Sequence, residues 1–412
     1  MMNKKTLWTK DYCLLMSASA LGAIGGITSS YALSFLVYDE TGSTLAAGLL
    51  IALRVIPQFL LPILVAPWMD RLPRKPFLVG GDLLGGVLYG LAGLYLQRYE
   101  FSYAGYLFFS LILACIGAFD SLAFNSIFPK VIPEGFEEKG YTVSGMLYPV
   151  MNVVMMPLAA VLMERIGVAN ILLLQSGMSI LAALVENRVR IKESVRLDGE
   201  KVGIGMWWRD LLAGVSYLKG EKGLLSIYSY MAATNGAAMG YSSILVAFFR
   251  STPGVTSMMY SFFSVAEFIG RSIGGLVHYK CGIPPKKRFG FAFFVYQFYE
   301  LMDVILLWLP YPLMLINRGI CGFLGINSAA MRDSAVQRYI PDEYRARVNA
   351  FEEMAICAAG GALALAVGAL GEIADYRVTV SFTALVTMVI CWLTVWKNRS
   401  AVRAVYEPAE DK

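Results

Sequence analysis

Long apolar runs alternate along this chain with short polar segments rich in Lys, Arg, Gly and Pro. A helix needs about 20 consecutive apolar residues to cross the hydrocarbon core of a bilayer. By that measure twelve membrane-spanning helices are predicted, roughly at 12–37, 44–66, 77–96, 102–126, 140–163, 168–187, 222–249, 253–278, 289–308, 311–333, 347–371 and 376–396. The fold class is an all-α membrane protein. The first apolar run follows a polar start, Met1 to Asp11, and has no small-residue cleavage site, so it reads as a retained helix rather than a signal peptide.

Composition agrees with that pattern. Of 412 residues, 57% are hydrophobic and 16% charged, against about 45–50% and about 25% in a soluble domain. Twelve spans use about 240 residues, and the rest averages about 13 per loop or tail. That leaves no room for a separate soluble domain and excludes a soluble enzyme and a nucleic-acid-binding module. A single histidine, His278, argues against a catalytic metal centre. The six cysteines (Cys13, Cys115, Cys281, Cys321, Cys357 and Cys391) lie tens of residues apart, so they read as small buried hydrophobes rather than disulfides or zinc ligands. No cofactor is expected, and no nucleotide-binding loop is present to supply ATP drive.

Lys and Arg are distributed unevenly across the predicted loops. With the N-terminus inside, the inner segments hold 27, the outer loops four (Arg98, Arg165, Arg250, Arg377), and four more lie within spans. This bias predicts that both termini are cytoplasmic and that the chain sits in the cell membrane. The loop 188–221 divides the spans into halves of 176 and 175 residues (12–187 and 222–396). Predicted domains are therefore 1–187, a linker 188–221, 222–396, and a tail 397–412. Within the linker, Trp207, Trp208, Leu211, Leu212, Val215 and Leu218 recur at helical spacing and predict a short helix lying on the membrane surface.

The halves share a motif. Ser126-Ile-Phe-Pro-Lys130-Val-Ile-Pro133-Glu134-Gly-Phe136 is matched, 208 residues on, by Ser334-Ala-Val-Gln-Arg338-Tyr-Ile-Pro341-Asp342-Glu-Tyr344. Basic, Ile-Pro, acidic and aromatic positions coincide. Two six-span bundles repeated in parallel are one architecture of secondary transporters.

Between the second and third spans stands Ala66-Pro-Trp-Met-Asp70-Arg71-Leu-Pro-Arg74-Lys75. This resembles the loop motif G-x-x-x-D-R-x-x-R-K of the major facilitator superfamily, with Ala66 in place of the opening glycine. The wider pattern is similar to the drug:proton antiporter branch that includes macrolide-efflux proteins and the enterobactin exporter. It comprises Tyr38-Asp-Glu-Thr-Gly42-Ser43, Leu53-Arg54-Val-Ile-Pro57, Asp82, and Gln337-Arg338-Tyr-Ile-Pro341 leading to Arg345-Ala-Arg347-Val348. The resemblance implies two pseudo-symmetric six-helix bundles. It also implies a cytoplasmic latch of Asp70, Arg71, Arg74 and Lys75, with Glu352 and Glu353 as opposing charges; the other reading of this loop is a topology anchor. The corresponding loop of the second half, Gly275 to Arg288, has Tyr279 where Asp70 would fall. Span 5 has Met155-Met156-Pro157 where antiporters often carry a glycine-rich stretch.

Charges inside spans are expensive, roughly 2.5–3.5 kcal/mol each at mid-bilayer, so they mark function or pairing. Arg54 lies about 15 Å deep with no acid at its depth in its own half. Glu267 lies about 21 Å from the outer side, and Arg271 shares its helix face at i,i+4. Two roles fit that pair: a structural ion pair, or a carboxylate that takes a proton when the pair loosens. Asp303 and Arg318, about 7.5 and 10 Å deep on consecutive spans, can also pair. Asp82 sits among glycines that favour tight packing, and Asp120 lies near the same membrane face. Span 5 carries Met146, Met151, Met155, Met156 and Met163 around Tyr148 and Asn152, and span 7 adds Asn235 and Tyr241. Methionine suits a site that accepts several shapes.

These residues point to a secondary active transporter moving a small amphiphilic solute by alternating access, with proton-coupled efflux favoured. Uptake, lysolipid translocation, and a non-transporting receptor or scaffold are the alternatives. The partners expected are a small solute, protons and the lipid bilayer.

Overall fold

A computed structural model describes residues 6–69, 72–190, 216–280 and 283–407, except the side chains at 59, 62–64, 66–69, 138, 342–343, 345–347 and 350. Twelve long helices and one short one account for nearly all of the described residues. They are α1 (Lys10–Thr41), α2 (Thr44–Met69), α3 (Lys75–Arg98), α4 (Tyr103–Val131), α5 (137–166), α6 (168–186), α7 (Lys222–Ser251), α8 (Ser257–Lys280), α9 (Arg288–Ile305), α10 (Tyr311–Tyr339), α11 (Asp342–Ile373), α12 (Tyr376–Cys391) and α13 (Arg399–Tyr406). Helices α5 and α6 follow one another in a continuous stretch broken at Gly167, whose φ of 76° suits glycine. Helix starts are set locally. The side chain of Thr9 accepts the Tyr12 N–H, that of Ser102 the Gly105 N–H, and that of Asp375 the Arg377 N–H.

The helices form two compact units. One holds α1, α2 from Leu53 onward, and α3 to α6; the other holds Ser43–Ala52 and α7 to α13. The start of α2 therefore clusters with the second unit, a division the positions of the apolar runs do not reveal. Its reason is local: Thr44 Oγ1 donates to the Gly368 carbonyl at 2.7 Å, and Gly48 lies against the α11 backbone at Ala364.

In the first unit, α3 turns Gly86, Gly90 and Gly93 onto α6 and leaves Leu84, Val87, Leu91 and Leu94 outward. A Cβ at Gly86 would stand 2.8 Å from Ile180, so the glycines permit close backbone approach. The outward leucines suit a lipid surface. Tyr12, Leu15, Ile127 and Phe128 centre the core at the N-terminal end, where the Tyr12 hydroxyl donates to the Gly140 carbonyl at 3.1 Å.

In the second unit α13 is not a free tail. Val402, Val405 and Tyr406 are buried against α7, α9 and α10, and the Tyr406 and Tyr296 hydroxyls share a proton at 2.6 Å. The motif repeat has a structural counterpart: α4 and α10 have the same length, and each position is shifted by 208, Tyr103 to Tyr311 and Val131 to Tyr339. Eight helices, counting α5 and α6 as one, are long and apolar enough to span a membrane on length and composition alone. Helices α7 and α8 reach spanning length with more polar sequences.

Candidate functional site

In the first unit, Arg54 on α2 donates from Nε to Ser110 Oγ at 2.6 Å and from Nη2 to the Tyr106 hydroxyl at 3.2 Å. Tyr106 and Ser110 stand four residues apart on α4, hence on one helix face. Both are buried, and Tyr89 of α3 lies within reach of the same guanidinium charge. Among the described residues no carboxylate pairs with Arg54. A guanidinium has five N–H donors, so this one keeps donors to offer.

Near the other end of the unit, Asp82 of α3, Asp120 of α4 and Glu186 at the end of α6 lie within reach of one another's charge. Glu186 is 4% exposed, and its Oε2 and Asp120 Oδ1 have no described hydrogen-bond partner. On α5, Met146 and Tyr148 are exposed, Met151 and Met156 half-buried, and Met155 buried. The Asn152 Oδ1 is buried without a partner.

In the second unit the intramembrane charges converge. Arg271 donates to Glu267 Oε1 from Nε at 3.0 Å and Nη2 at 2.6 Å, with the arginine 55% and the glutamate 31% exposed. Arg318 of α10 forms a buried ion pair with Asp303 of α9, and Asn317 Oδ1 accepts from Arg318 Nε at 3.2 Å. One turn back on α9, Glu300 is 1% exposed and accepts from the Tyr230 hydroxyl at 3.0 Å and from Thr387. Cys321 on α10 lies within reach of the charges of Arg318, Asp303, Glu267 and Glu300. Thus α8, α9 and α10 hold three carboxylates against two guanidiniums.

The sequence-predicted residues divide accordingly. Glu267 and Arg271 come together, as do Asp303 and Arg318. Asn235 donates to the Met231 carbonyl of its own helix at 2.8 Å. Of the latch residues, Asp70 and Arg71 lie outside the described residues, as do Trp207 to Val215 of the linker and Cys281. Lys75 Nζ donates to the Asn187 carbonyl at 2.6 Å, and Arg74 stands at the start of α3. Glu352 is half-buried within reach of the charges of Arg332 and Asp333, and Glu353 is exposed. Sequence reasoning missed Tyr106 and Ser110 as partners of Arg54, Glu186 as a third buried acid, and the hydroxyls around Glu300. An acid closing an apolar run was a signal for Glu186; nothing in the sequence joins Glu300 to residues 70 and 87 positions away.

No group of His, Cys, Asp and Glu among the described residues is placed to hold a metal ion. The sequence profile described as "Major Facilitator Superfamily" matches residues 14–299. A Bacillus subtilis (strain 168) protein, the uncharacterized MFS-type transporter YjbB, is 22% identical over 302 residues, covering 69% of this chain and 70% of that protein. The fold is similar to that of the nucleoside transporter NupG (TM-score 0.72, 11% identity, 95% of this chain and 99% of that one). It is also similar to that of the E. coli fucose:proton symporter FucP (TM-score 0.55, 16% identity, 94% and 99%). A profile spanning more than half of the chain, on a structure of twelve long helices with charges gathered inside the spans, places this protein: it belongs to the Major Facilitator Superfamily and is a multi-pass membrane transporter, not an enzyme.

Proposed function

We propose that the protein is a proton-coupled exporter of small amphiphilic solutes in the cell membrane, with both termini cytoplasmic. The observation that carries the coupling is the charge network of α8, α9 and α10, in which Glu267, Asp303 and Glu300 face only Arg271 and Arg318. Buried charges in spans mark ion and proton pathways. Glu267 is the accessible end of that network. Paired with Arg271 it holds its charge; separated from it by water or solute, it takes up a proton. Proton entry and solute release then exclude one another, as antiport requires.

Solute selection falls to the first unit. Arg54, held by two hydroxyls, offers donors to a carbonyl or anionic group. The exposed Met146 and Tyr148 and the half-buried Met151 and Met156 of α5 supply polarizable, adaptable contact. The loop Asp70 to Lys75 serves as the latch, with Glu352 and Glu353 as its counterparts. Export follows from the likeness of the loop and its surroundings to the antiporter branch; a symporter among the fold neighbours makes uptake the second reading.

The test is accumulation of a solute panel (macrolides, siderophores, lipophilic cations) in cells with and without the gene, repeated with a protonophore. Lower accumulation in expressing cells, abolished by the protonophore, is expected. Higher accumulation that the protonophore abolishes would establish uptake, and flux indifferent to the protonophore would remove proton coupling.

A further inference from the structure

Glu300 differs from the other carboxylates of its network in what surrounds it. Glu267 has Arg271 and Asp303 has Arg318. Glu300 has hydroxyls: Tyr230 and Thr234 of α7, four residues apart on one face, and Thr387 of α12. At 1% exposure it is sealed from solvent within its unit. Two guanidiniums neutralise two of three carboxylates, and Glu300 is the remaining one.

The hydroxyls can serve either protonation state. Toward an ionised carboxylate, Tyr230 and Thr387 both donate. Each also has a second acceptor in range: the Tyr296 carbonyl at 3.4 Å from the Tyr230 oxygen, and the Ala384 and Thr383 carbonyls at 2.8 and 3.3 Å from the Thr387 oxygen. When Glu300 gains a proton, one hydroxyl turns its hydrogen to its carbonyl and accepts the carboxyl O–H instead. A hydroxyl is donor and acceptor at once, so no hydrogen bond is lost in the exchange. An arginine has no lone pair to accept with, and a carboxylate bound to one lacks this symmetry.

We infer that Glu300 is a proton-binding site of the transporter, an enclosed carboxyl that receives the coupling proton behind the accessible Glu267–Arg271 pair. The inference rests on the proton-coupled reading for its role in transport, but not for the binding itself. The groups facing Glu300 are Asp303 on its own helix, Tyr230 and Tyr241 on α7, Arg318 and Cys321 on α10, and Cys391 on α12. Of these only Asp303 and Arg318 are charged in ordinary conditions, and they neutralise each other. The Tyr241 hydroxyl is buried without a described partner and lies within reach of both Asp303 and Glu300, between the paired acid and the unpaired one.

The experiment is infrared difference spectroscopy of the purified full-length protein in nanodiscs, titrated with pH and no solute. A protonated buried carboxyl gives a carbonyl stretch separate from the amide bands. The parent should show such a band titrating with pH; Glu300→Gln should lose it and Glu267→Gln should keep it. Should Glu300→Gln fail to accumulate, Thr387→Val removes one hydroxyl without touching the acid, and the band should move in frequency and titration midpoint. A titrating band unchanged in Glu300→Gln, or unmoved in Thr387→Val, overturns the inference. Failure of the proton-coupled reading shows elsewhere, as flux of the parent indifferent to a protonophore.

Discussion

The Glu372 carboxylate on α11 accepts the backbone N–H of Leu45 at 2.9 Å, and with it the hydroxyl of Ser43 at 2.7 Å. The first turn of α2 thus has its free N–H groups satisfied by a residue 327 positions away in sequence. An anion at a helix N-terminus is favoured by both hydrogen bonding and the helix dipole. Glu372→Ala is expected to destabilise the fold by about 1 kcal/mol, with Glu372→Gln milder because it keeps an acceptor. Thermal unfolding in detergent measures both.

The buried Asp303–Arg318 pair gives a steeper expectation. Removing one partner strands a charge among apolar helices and costs roughly 3–5 kcal/mol. Asp303→Leu or Arg318→Met should each lower the yield of folded protein sharply. The double variant should recover much of the loss, since two well-packed apolar residues replace a pair whose desolvation offsets its attraction. A double variant as unstable as the singles would show that Asn317 and Cys321 depend on the charges.

Arg54 tests solute recognition. Arg54→Lys keeps the charge but loses the fork that reaches Ser110 and Tyr106 together. Transport should fall several-fold in Arg54→Lys and further in Arg54→Ala, with melting temperature nearly unchanged. Flux in proteoliposomes at equal protein content separates this from a folding defect.

Asp70→Asn tests the latch. It removes a charge from a loop and no core packing, so flux should slow while expression holds. Equal flux in variant and parent would reduce the loop to a topology anchor. Orientation is checked independently: Cys281 should react with an impermeant thiol reagent in inside-out vesicles and not in intact cells.

Docking of α13 is testable by size. Tyr406 is fully buried and joined to Tyr296. Tyr406→Ala should cost roughly 3–5 kcal/mol, as for other large buried aromatics, and release the segment to proteolysis. Tyr406→Phe, which loses only the shared hydrogen bond, should cost about 1 kcal/mol.

By itself the sequence determined the quantities that the bilayer reads one segment at a time. Hydrophobic length set the number of spans, because each helix must satisfy its own backbone in lipid. Side-chain spacing on one helix was equally legible: Glu267 with Arg271 needs only the helical repeat. The motif shifted by 208 from Ser126 to Ser334 anticipated helices α4 and α10 of equal length. Only the tertiary structure decided relationships across helices, since depth along a span says nothing of which face meets which neighbour. It gave Arg54 two hydroxyls rather than an acid, joined the start of α2 to α11 through Thr44 and Glu372, and folded 399–406 onto α7, α9 and α10. It also set Glu300 among Tyr230 and Thr387, because helix rotation and packing, fixed by small residues and whole-unit assembly, choose the partners that a linear pattern leaves open.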